Sequence, residues 1–228
     1  MLGLSRPGLG RGICVAMVAL SLGSAAASAA PYGSNLVTDG SFEAADHNGN
    51  LYLWSCTGDA KAWMYDDFDL AVPEPTGDPA NIHYLFGGET QNSTASQDID
   101  ISSVAGDVDA GKLTCTLSGY LGGQGIENDN AVLKADFLDA GGASLGTLTV
   151  GPVTAADRGD TTGLLYREDS APVPQNTRAI KVMVTMTWVD NGWNDGYADV
   201  VGLTLIPEPA SLSLLALGAL ALIRRKRG

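Results

Sequence analysis

Short stretches in which apolar and polar residues alternate recur along the middle of the chain. In residues 181–188 the apolar side chains Val182, Val184, Met186 and Trp188 occupy every second position, so an extended strand here would have one apolar face. Similar β-prone runs follow one another, separated by Gly, Asp, Asn and Pro. Alternating strands with turn residues at this spacing are typical of an all-β sandwich. We predict strands at 51–56, 62–67, 82–86, 95–101, 112–121, 131–138, 144–150, 163–168, 179–189 and 196–206.

The N-terminus follows a different pattern. Arg6 and Arg11 precede an apolar run at 13–22, which leads into a stretch of small residues that ends in Ala29 and Ala30. Positive charge, apolar run and small residues in this order are typical of a secretory signal peptide. Residues 1–30 are therefore predicted to be a signal peptide that is cleaved near Ala29 or Ala30.

A second apolar run, at 210–223, lies near the C-terminus and is followed at once by Arg224, Arg225, Lys226 and Arg227. A helix that spans a membrane stably needs about 20 apolar residues. The run is therefore predicted to form a transmembrane helix that holds the chain in the inner membrane only transiently. The basic cluster stays on the cytoplasmic side, so the region between the two ends is expected outside.

Pro207, Glu208 and Pro209 stand directly before this apolar run. Pro-Glu-Pro, an apolar helix and a basic tail at 207–228 together resemble the PEP-CTERM sorting signal. The resemblance implies a Gram-negative bacterium, processing by an exosortase-type enzyme, and delivery to the cell surface or extracellular matrix. The same tripeptide at 73–75 has no apolar run behind it, and we interpret it as a turn.

The region between the two ends, 31–206, has a length that suits one domain with a hydrophobic core. The chain has 13 basic and 26 acidic residues and a formal net charge of −13. So acidic a surface repels nucleic acid, and no nucleic-acid partner is expected. Cys56 and Cys115 would meet an oxidising compartment after export. Either a disulfide between them or two buried thiols would fit the sequence.

Two stretches at opposite ends of this region carry a second resemblance. The first is NLVTDGSFE at 35–43, followed by Trp54, and the second is NDGYAD at 194–199, before the last predicted strand. They resemble the galactose-binding-like jelly roll, a group that includes carbohydrate-binding modules. The resemblance implies a single jelly-roll β-sandwich and a core position for Trp54. It leaves the ligand open, because one fold hosts many functions.

The same resemblance implies a metal site. In such modules a structural Ca²⁺ often ties the first strand to the last, and the matching positions here are Glu43 and Asp199. Ca²⁺ takes about six to eight oxygen ligands from carboxylates and carbonyls, so these residue types suit it. The alternative is that both side chains face solvent. The oxygen-rich stretch at 46–50 lacks a suitably placed glutamate and is interpreted as a turn.

Four aromatic residues are candidates for a sugar site, because carbohydrate sites place aromatic faces against sugar rings. Trp63 and Tyr65 share one face of a predicted strand, Tyr120 lies near the end of another, and Trp193 lies in a polar loop. The alternative for each of them is packing in the core.

No motif for catalysis is recognisable in the sequence. The chain has two histidines, His47 and His83, and neither belongs to a nucleophile or metal-ligand pattern. We therefore predict a non-catalytic, carbohydrate-associated surface or exopolysaccharide-matrix protein. The alternative is a purely structural surface protein that uses the same sandwich without a sugar ligand.

Overall fold

The computed structural model describes residues 32–65, 72–75, 82–190 and 192–208. The predicted signal peptide, Pro209, the C-terminal apolar run and the basic cluster all lie outside these described residues. Within the described residues, no helix has both the length and the apolar character that crossing a membrane requires.

Each of the ten predicted strands corresponds to one observed strand. Two short helices, a 3₁₀ turn at Ser102–Val104 and α1 at Ala105–Asp109, lie between the fourth and fifth strands along the chain and were not predicted. In the described residues the strands are β1 Ser55–Thr57, β2 Lys61–Met64, β3 His83–Gly88, β4 Asn92–Asp100, β5 Leu113–Gly123, β6 Asn130–Leu138, β7 Ser144–Val150, β8 Gly163–Pro172, β9 Ala179–Thr187 and β10 Asn194–Pro207.

The strands form two five-stranded sheets. The first sheet has the order β1-β4-β9-β6-β7, and the second has the order β2-β3-β10-β5-β8. Neighbouring strands pair antiparallel throughout both sheets. From β3 to β6 the chain crosses from one sheet to the other at every step. The prediction of an all-β jelly-roll sandwich is confirmed.

The main core lies between the two sheets. On β9 the residues Ile180, Val182, Val184 and Met186 are fully buried, as the alternation in the sequence predicts. They share one hydrophobic cluster with apolar residues of the second sheet, such as Leu121 on β5. Each large aliphatic side chain buried in this way contributes about 1.5–3 kcal/mol relative to exposure. The pairing of the two inner faces is therefore the main stabilising feature of the fold.

The segment before β1 docks on β10, and it does so through the residues that carried the jelly-roll resemblance. The side chain of Asn35 accepts a hydrogen bond from the amide of Leu203 (3.0 Å) and donates one to the carbonyl of Val201 (3.2 Å). Trp54 is buried, as predicted. Its Nε1 donates to the carbonyl of Asp39 (2.9 Å), and its ring packs against Phe42.

Among the described residues, Cys56 and Cys115 are both free. Cys56 is exposed on β1, at the edge of the first sheet, whereas Cys115 is buried on β5 of the second sheet. Burial raises the pKa of the Cys115 thiol to about 12. The disulfide that the sequence allows is not formed, because the Cys56 thiol lies on the surface of one sheet and the Cys115 thiol packs in the core.

Candidate functional site

The outer face of the second sheet is rich in aromatic residues. Side chains alternate between the two faces of a strand. Ala62, Leu85, Leu121 and Ala198 belong to the main core, and their neighbours along each strand therefore point outward. We call this surface the aromatic face. It consists of Trp63, Tyr84, Phe86, Tyr120, Tyr166 and Tyr197 on the strands, with Tyr65 directly after β2 and Trp193 from the loop before β10.

At the β2 end of this face, two of the predicted ligand residues meet. The rings of Trp63 and Trp193 lie 6.2 Å apart, edge to face. Trp193 also stacks on the buried ring of Phe86 at 5.8 Å, with an interplanar angle of 27°. Trp193 is 44% exposed, so this end of the aromatic face presents an indole ring to solvent.

At the β8 end, Tyr120 lies directly opposite Tyr166 on the neighbouring strand, with ring centroids 5.4 Å apart. Tyr166 is 47% exposed, and its hydroxyl donates to Glu168 Oε2 at 2.8 Å. Desolvation and the Glu168 carboxylate raise the pKa of Tyr166. A cavity of about 310 Å³ adjoins this pair and is lined by Tyr120, Arg158 and the segment 73–75, among others.

Arg158 holds the loops beside this cavity. It is buried, and its Nη1 and Nη2 atoms donate to main-chain carbonyls, including those of Gly123 (2.9 Å), Thr161 (2.9 Å) and Glu127 (3.1 Å). Desolvation lowers the pKa of the guanidinium. The bonds that Arg158 makes therefore connect the end of β5 and the segment after it to the loop before β8.

The middle of the aromatic face is closed to solvent. Val72 is buried and packs on the cluster that contains Tyr65, Tyr84 and Tyr197. The hydroxyl of Tyr65 donates to Asp199 Oδ2 at 2.7 Å, and Asp199 is fully buried. Tyr65, a predicted ligand residue, is thus part of a buried layer, while Trp63, Tyr120 and Trp193 border its open ends.

The two predicted calcium ligands are engaged by different donors. Glu43 Oε1 accepts hydrogen bonds from the amides of Ile82 (2.8 Å) and His83 (3.0 Å), and Oε2 contacts His83 Nδ1 at 3.0 Å. Asp199 accepts from Tyr65 and from the amide of Val200. The calcium role of this pair stays a prediction.

A different group of carboxylates is brought together by the fold. Oxygen atoms of Glu127, Asp129 and Asp195 lie within 4.8 Å of one another, and among the described residues this is the one group of three such ligands that can hold a metal ion. Asp129 accepts hydrogen bonds from the amides of Val189 (2.6 Å), Asp190 (2.9 Å) and Asp195 (2.9 Å). Asp129 therefore fixes the loop that carries Trp193.

The carboxylates of this acidic group are not all fully ionised at neutral pH. Desolvation, together with the neighbouring Asp195 carboxylate, raises the pKa of Glu127 to about 7. Desolvation also raises the pKa of Asp195, whose Oδ1 accepts from the hydroxyl of Tyr197 at 2.7 Å. Close carboxylates disfavour simultaneous ionisation, so a proton or a cation stabilises the group.

Sequence reasoning missed Tyr166 and the acidic group. Tyr166 falls in a predicted strand, and alternation would have placed it outward, but only strand pairing puts it opposite Tyr120. Glu127 and Asp195 are separated by the whole of β6 to β9. No local spacing indicates that such distant carboxylates meet.

The solved structures that resemble this chain have low sequence identity to it. A bacteriophage CBA120 tailspike protein 4 enzymatically active domain matches with a TM-score of 0.51 and 14% identity over 75% of this chain and 21% of that one. This chain thus spans about a fifth of the tailspike chain, and the likeness is one of fold. The sequence matches no curated protein.

Two smaller structures match over nearly their whole length. They are the CBM22-1 xylan-binding domain of Paenibacillus barcinonensis Xyn10C and a family 16 carbohydrate binding module. The first has a TM-score of 0.42 and 14% identity over 79% of this chain and 100% of that one. The second has a TM-score of 0.43 and 16% identity over 75% of this chain and 99% of that one.

The C-terminal segment matches a family model. Residues 205–227 match the PEP-CTERM protein-sorting motif, which begins on the last residues of β10 and continues beyond the described residues. The prediction of a sorting signal at this end of the chain is confirmed. The chain carries a PEP-CTERM protein-sorting motif, which marks it for export and sorting to the cell surface.

Proposed function

We propose that this protein is a non-catalytic module that binds a neutral polysaccharide through the two open ends of its aromatic face. It would act at the surface or in the extracellular matrix of a Gram-negative bacterium, after exosortase-type processing at a transient inner-membrane stage. Its working domain would be residues 31–206, between the signal peptide and the sorting signal.

The exposed aromatic rings carry this proposal. Trp193 and Tyr166 are solvent-exposed yet held by ordered neighbours, Trp193 by Phe86 and Tyr166 by Glu168. Exposed apolar surface rimmed by polar groups marks a binding site more often than it serves folding. Rigid Trp and Tyr rings lose little conformational entropy on contact with a partner. A sugar ring offers an apolar face to such rings and hydroxyls to the neighbouring carboxylates.

The spacing of the two ends favours a polymer. Strands β2 and β8 are the two edges of a five-stranded sheet. Neighbouring strands lie about 4.8 Å apart, so the edges are separated by about 19 Å. One sugar residue is too short to touch both ends, whereas an oligosaccharide of several residues reaches from one to the other.

The charge of the face favours a neutral glycan. The aromatic face or its margin is lined by the carboxylates of Glu168, Glu127 and Asp195. The Nη atoms of the nearby Arg158 donate hydrogen bonds to main-chain carbonyls. Carboxylates accept hydrogen bonds from hydroxyl groups, but they repel acidic polymers. Uronate-rich polysaccharides should therefore bind more weakly than neutral ones.

The proposal is tested by affinity electrophoresis of the full chain, in mild detergent, through gels that contain different polysaccharides. We expect retardation on at least one neutral polysaccharide and its loss in the double variant Trp193→Ala, Tyr166→Ala. Tyr52→Ala is the matched control, because Tyr52 is 68% exposed and lies off the aromatic face.

Two outcomes would contradict the proposal. Retardation on no polysaccharide would favour the purely structural surface protein. Equal retardation of the double variant and the control would show that a bound glycan uses another surface.

We further propose a structural Ca²⁺ ion, as the jelly-roll resemblance implies. The acidic group of Glu127, Asp129 and Asp195 fits a hard cation by its oxygen donors and its close spacing. Glu43 and Asp199 are the second candidate pair. A chelator should lower the melting temperature, because an ion bound only to the folded state stabilises it.

The same experiment separates the two candidate sites. If Glu127→Gln removes the chelator's effect and Glu43→Gln retains it, the ion binds at the acidic group. The reverse result assigns it to Glu43 and Asp199. An unchanged melting temperature in the wild type would exclude a structural Ca²⁺.

A further inference from the structure

A second cavity, of about 270 Å³, lies at the β2 edge of the second sheet. We call it the edge pocket. It is lined by Asp46, His47, Asn48, Gly49, Ala62, Trp63, Met64 and His83. Both histidines of the chain therefore line a single pocket. Trp63 belongs to the edge pocket and to the aromatic face, so the two are continuous.

The outer wall of the edge pocket is an ordered turn. Asp46 Oδ1 accepts hydrogen bonds from the amides of Asn48 (2.8 Å) and Asn50 (3.0 Å), and the carbonyl of Gly49 accepts from the amide of Ala62 on β2 (2.9 Å). Gly49 has φ +80°, and a Cβ at this position would lie 2.4 Å from the carbonyl oxygen of Ala62. Only glycine allows the turn to dock so closely on the strand.

Hydrogen bonding fixes the proton position on His83. Glu43 accepts from two backbone amides and contacts His83 Nδ1 at 3.0 Å. An ionised carboxylate only accepts hydrogen bonds, so Nδ1 of the neutral ring carries the proton. The remaining ring nitrogen, Nε2, is then a hydrogen-bond acceptor. The edge pocket thus includes an imidazole whose tautomer is set before a ligand arrives.

The lining is apolar on one side and polar on the other. Ala62, Trp63 and Met64 come from β2, and Met64 is 47% exposed. Within the described part of the chain, the exposed side chains of His47 and Asn48 have no hydrogen-bond partner. Sites for drug-sized ligands measure about 300–1,000 Å³, so this smaller pocket suits a single amphipathic ring.

We propose that the edge pocket binds the terminal sugar residue of a glycan whose chain continues along the aromatic face. The docked turn of residues 46–49 would stop the chain at this edge, so the protein would recognise glycan ends rather than chain interiors. This inference rests on the proposed glycan-binding function and adds where on the polymer the protein binds.

The test uses the neutral polysaccharide that retards the full chain, and the same polysaccharide shortened by partial acid hydrolysis. Titration calorimetry of the full chain in mild detergent measures the number of protein molecules bound per gram of each sample. If ends are recognised, this capacity rises in proportion to the number of chain ends. A capacity per gram that stays constant would overturn the inference and leave the proposed function intact.

A double variant, His47→Ala and Asn48→Ala, tests the edge pocket itself. Both side chains are exposed, so the melting temperature should stay unchanged while the affinity falls by at least about tenfold, a loss typical of a binding hot spot. Retained affinity in a folded variant would refute the edge pocket as the site. Tyr52→Ala again serves as the control, and no binding by any variant or by the wild type would refute the proposed function as well.

Discussion

The outer faces of the two sheets differ sharply, although their inner faces share one core. In the first sheet, Ser96, Met183, Lys134 and Thr149 lie side by side across four strands. The corresponding surface of the second sheet carries Trp63, Tyr84, Phe86, Tyr197 and Tyr120. A sheet needs only one apolar face to form a sandwich. The second apolar face therefore points to a role other than closing the fold.

The two outer faces also differ in how their charges are held. On the first sheet, Lys181 and Asp98 form an exposed pair at 3.6 Å. On the second sheet, Asp199 is fully buried against Tyr65, and Asp195 is nearly so. Asp129, in the loop before β6, is buried beside Asp195. Buried charges contribute to or oppose stability far more than exposed pairs do. Substitutions should therefore have unequal effects on the two faces.

The largest effect is expected for Asp129→Ala. This substitution removes the acceptor of three backbone hydrogen bonds, and an unpaired buried donor costs about 1–3 kcal/mol. The free energy of unfolding, measured by denaturant titration, should fall by about 3 kcal/mol, because relief of repulsion from Glu127 and Asp195 offsets part of the loss. Glycan affinity should fall too, since the loop of Trp193 loses its anchor. Asp98→Ala on the first sheet is the control, and equal losses in both variants would erase the contrast between the faces.

A smaller effect is expected for Tyr65→Phe. It deletes a hydrogen bond to the buried carboxylate of Asp199, and such charge-assisted bonds contribute about 1.5–3 kcal/mol. Tyr166→Phe removes a similar bond to Glu168 at an exposed position, so it should cost less than about 1 kcal/mol. Thermal unfolding of the two variants compares them directly. A larger fall in melting temperature for Tyr166→Phe than for Tyr65→Phe would contradict the assignment of Tyr65 to the buried middle of the aromatic face and of Tyr166 to its open end.

The pH dependence of stability should come in part from the acidic group of Glu127, Asp129 and Asp195. Because the pKa of Glu127 is raised in the folded state, folding favours its protonated form. The free energy of unfolding should therefore fall as pH rises from the ordinary carboxyl range towards 7. Above pH 7 this loss of free energy is complete. Glu127→Gln removes this dependence, so with a chelator present it should raise the melting temperature at pH 8 by about 2–4 °C.

The control for this prediction is pH 5, where wild-type Glu127 is mostly protonated in the fold. The melting temperatures of wild type and Glu127→Gln should differ less at pH 5 than at pH 8. An equal difference at both values would show that Glu127 does not titrate in this range.

The smallest effect is expected on the first sheet. Lys181→Ala breaks the exposed pair with Asp98, and such pairs contribute about 0–1 kcal/mol. Denaturant titration should show a change within about 0.5 kcal/mol, and glycan affinity should stay at the wild-type value. A loss of affinity in this variant would mean that the polar outer face also contacts glycan.

Much of the fold could be predicted from the sequence, because the alternation of apolar and polar residues along a strand is a local property. The alternation at 181–188 places Val182, Val184 and Met186 in the core, where the structure has them. Turn residues between the runs located every strand to within a few residues. The short helix at Ala105–Asp109 escaped prediction, since five residues are too few to show a helical period.

The candidate site could be predicted from the sequence only in part. Trp63, Tyr120 and Trp193 were identified from residue type and local setting, and they border the open ends of the aromatic face. Tyr65 shares its strand face with Trp63, as the alternation predicts, yet Val72 buries the ring. Strand alternation does not indicate that a loop residue seven positions further along the chain folds back over the ring.

The sequence by itself determined the PEP-CTERM motif and the strands with one apolar side. It also predicts a signal peptide, from the order of charged and apolar residues at the N-terminus. These properties depend on residues that are neighbours along the chain. Only the tertiary structure decided that Tyr166 faces Tyr120, that Glu127 meets Asp129 and Asp195, and that His47 and His83 share a pocket. Most of these contacts join residues that are far apart in the sequence. The order of the strands in each sheet brings them together, and local sequence patterns do not encode that order.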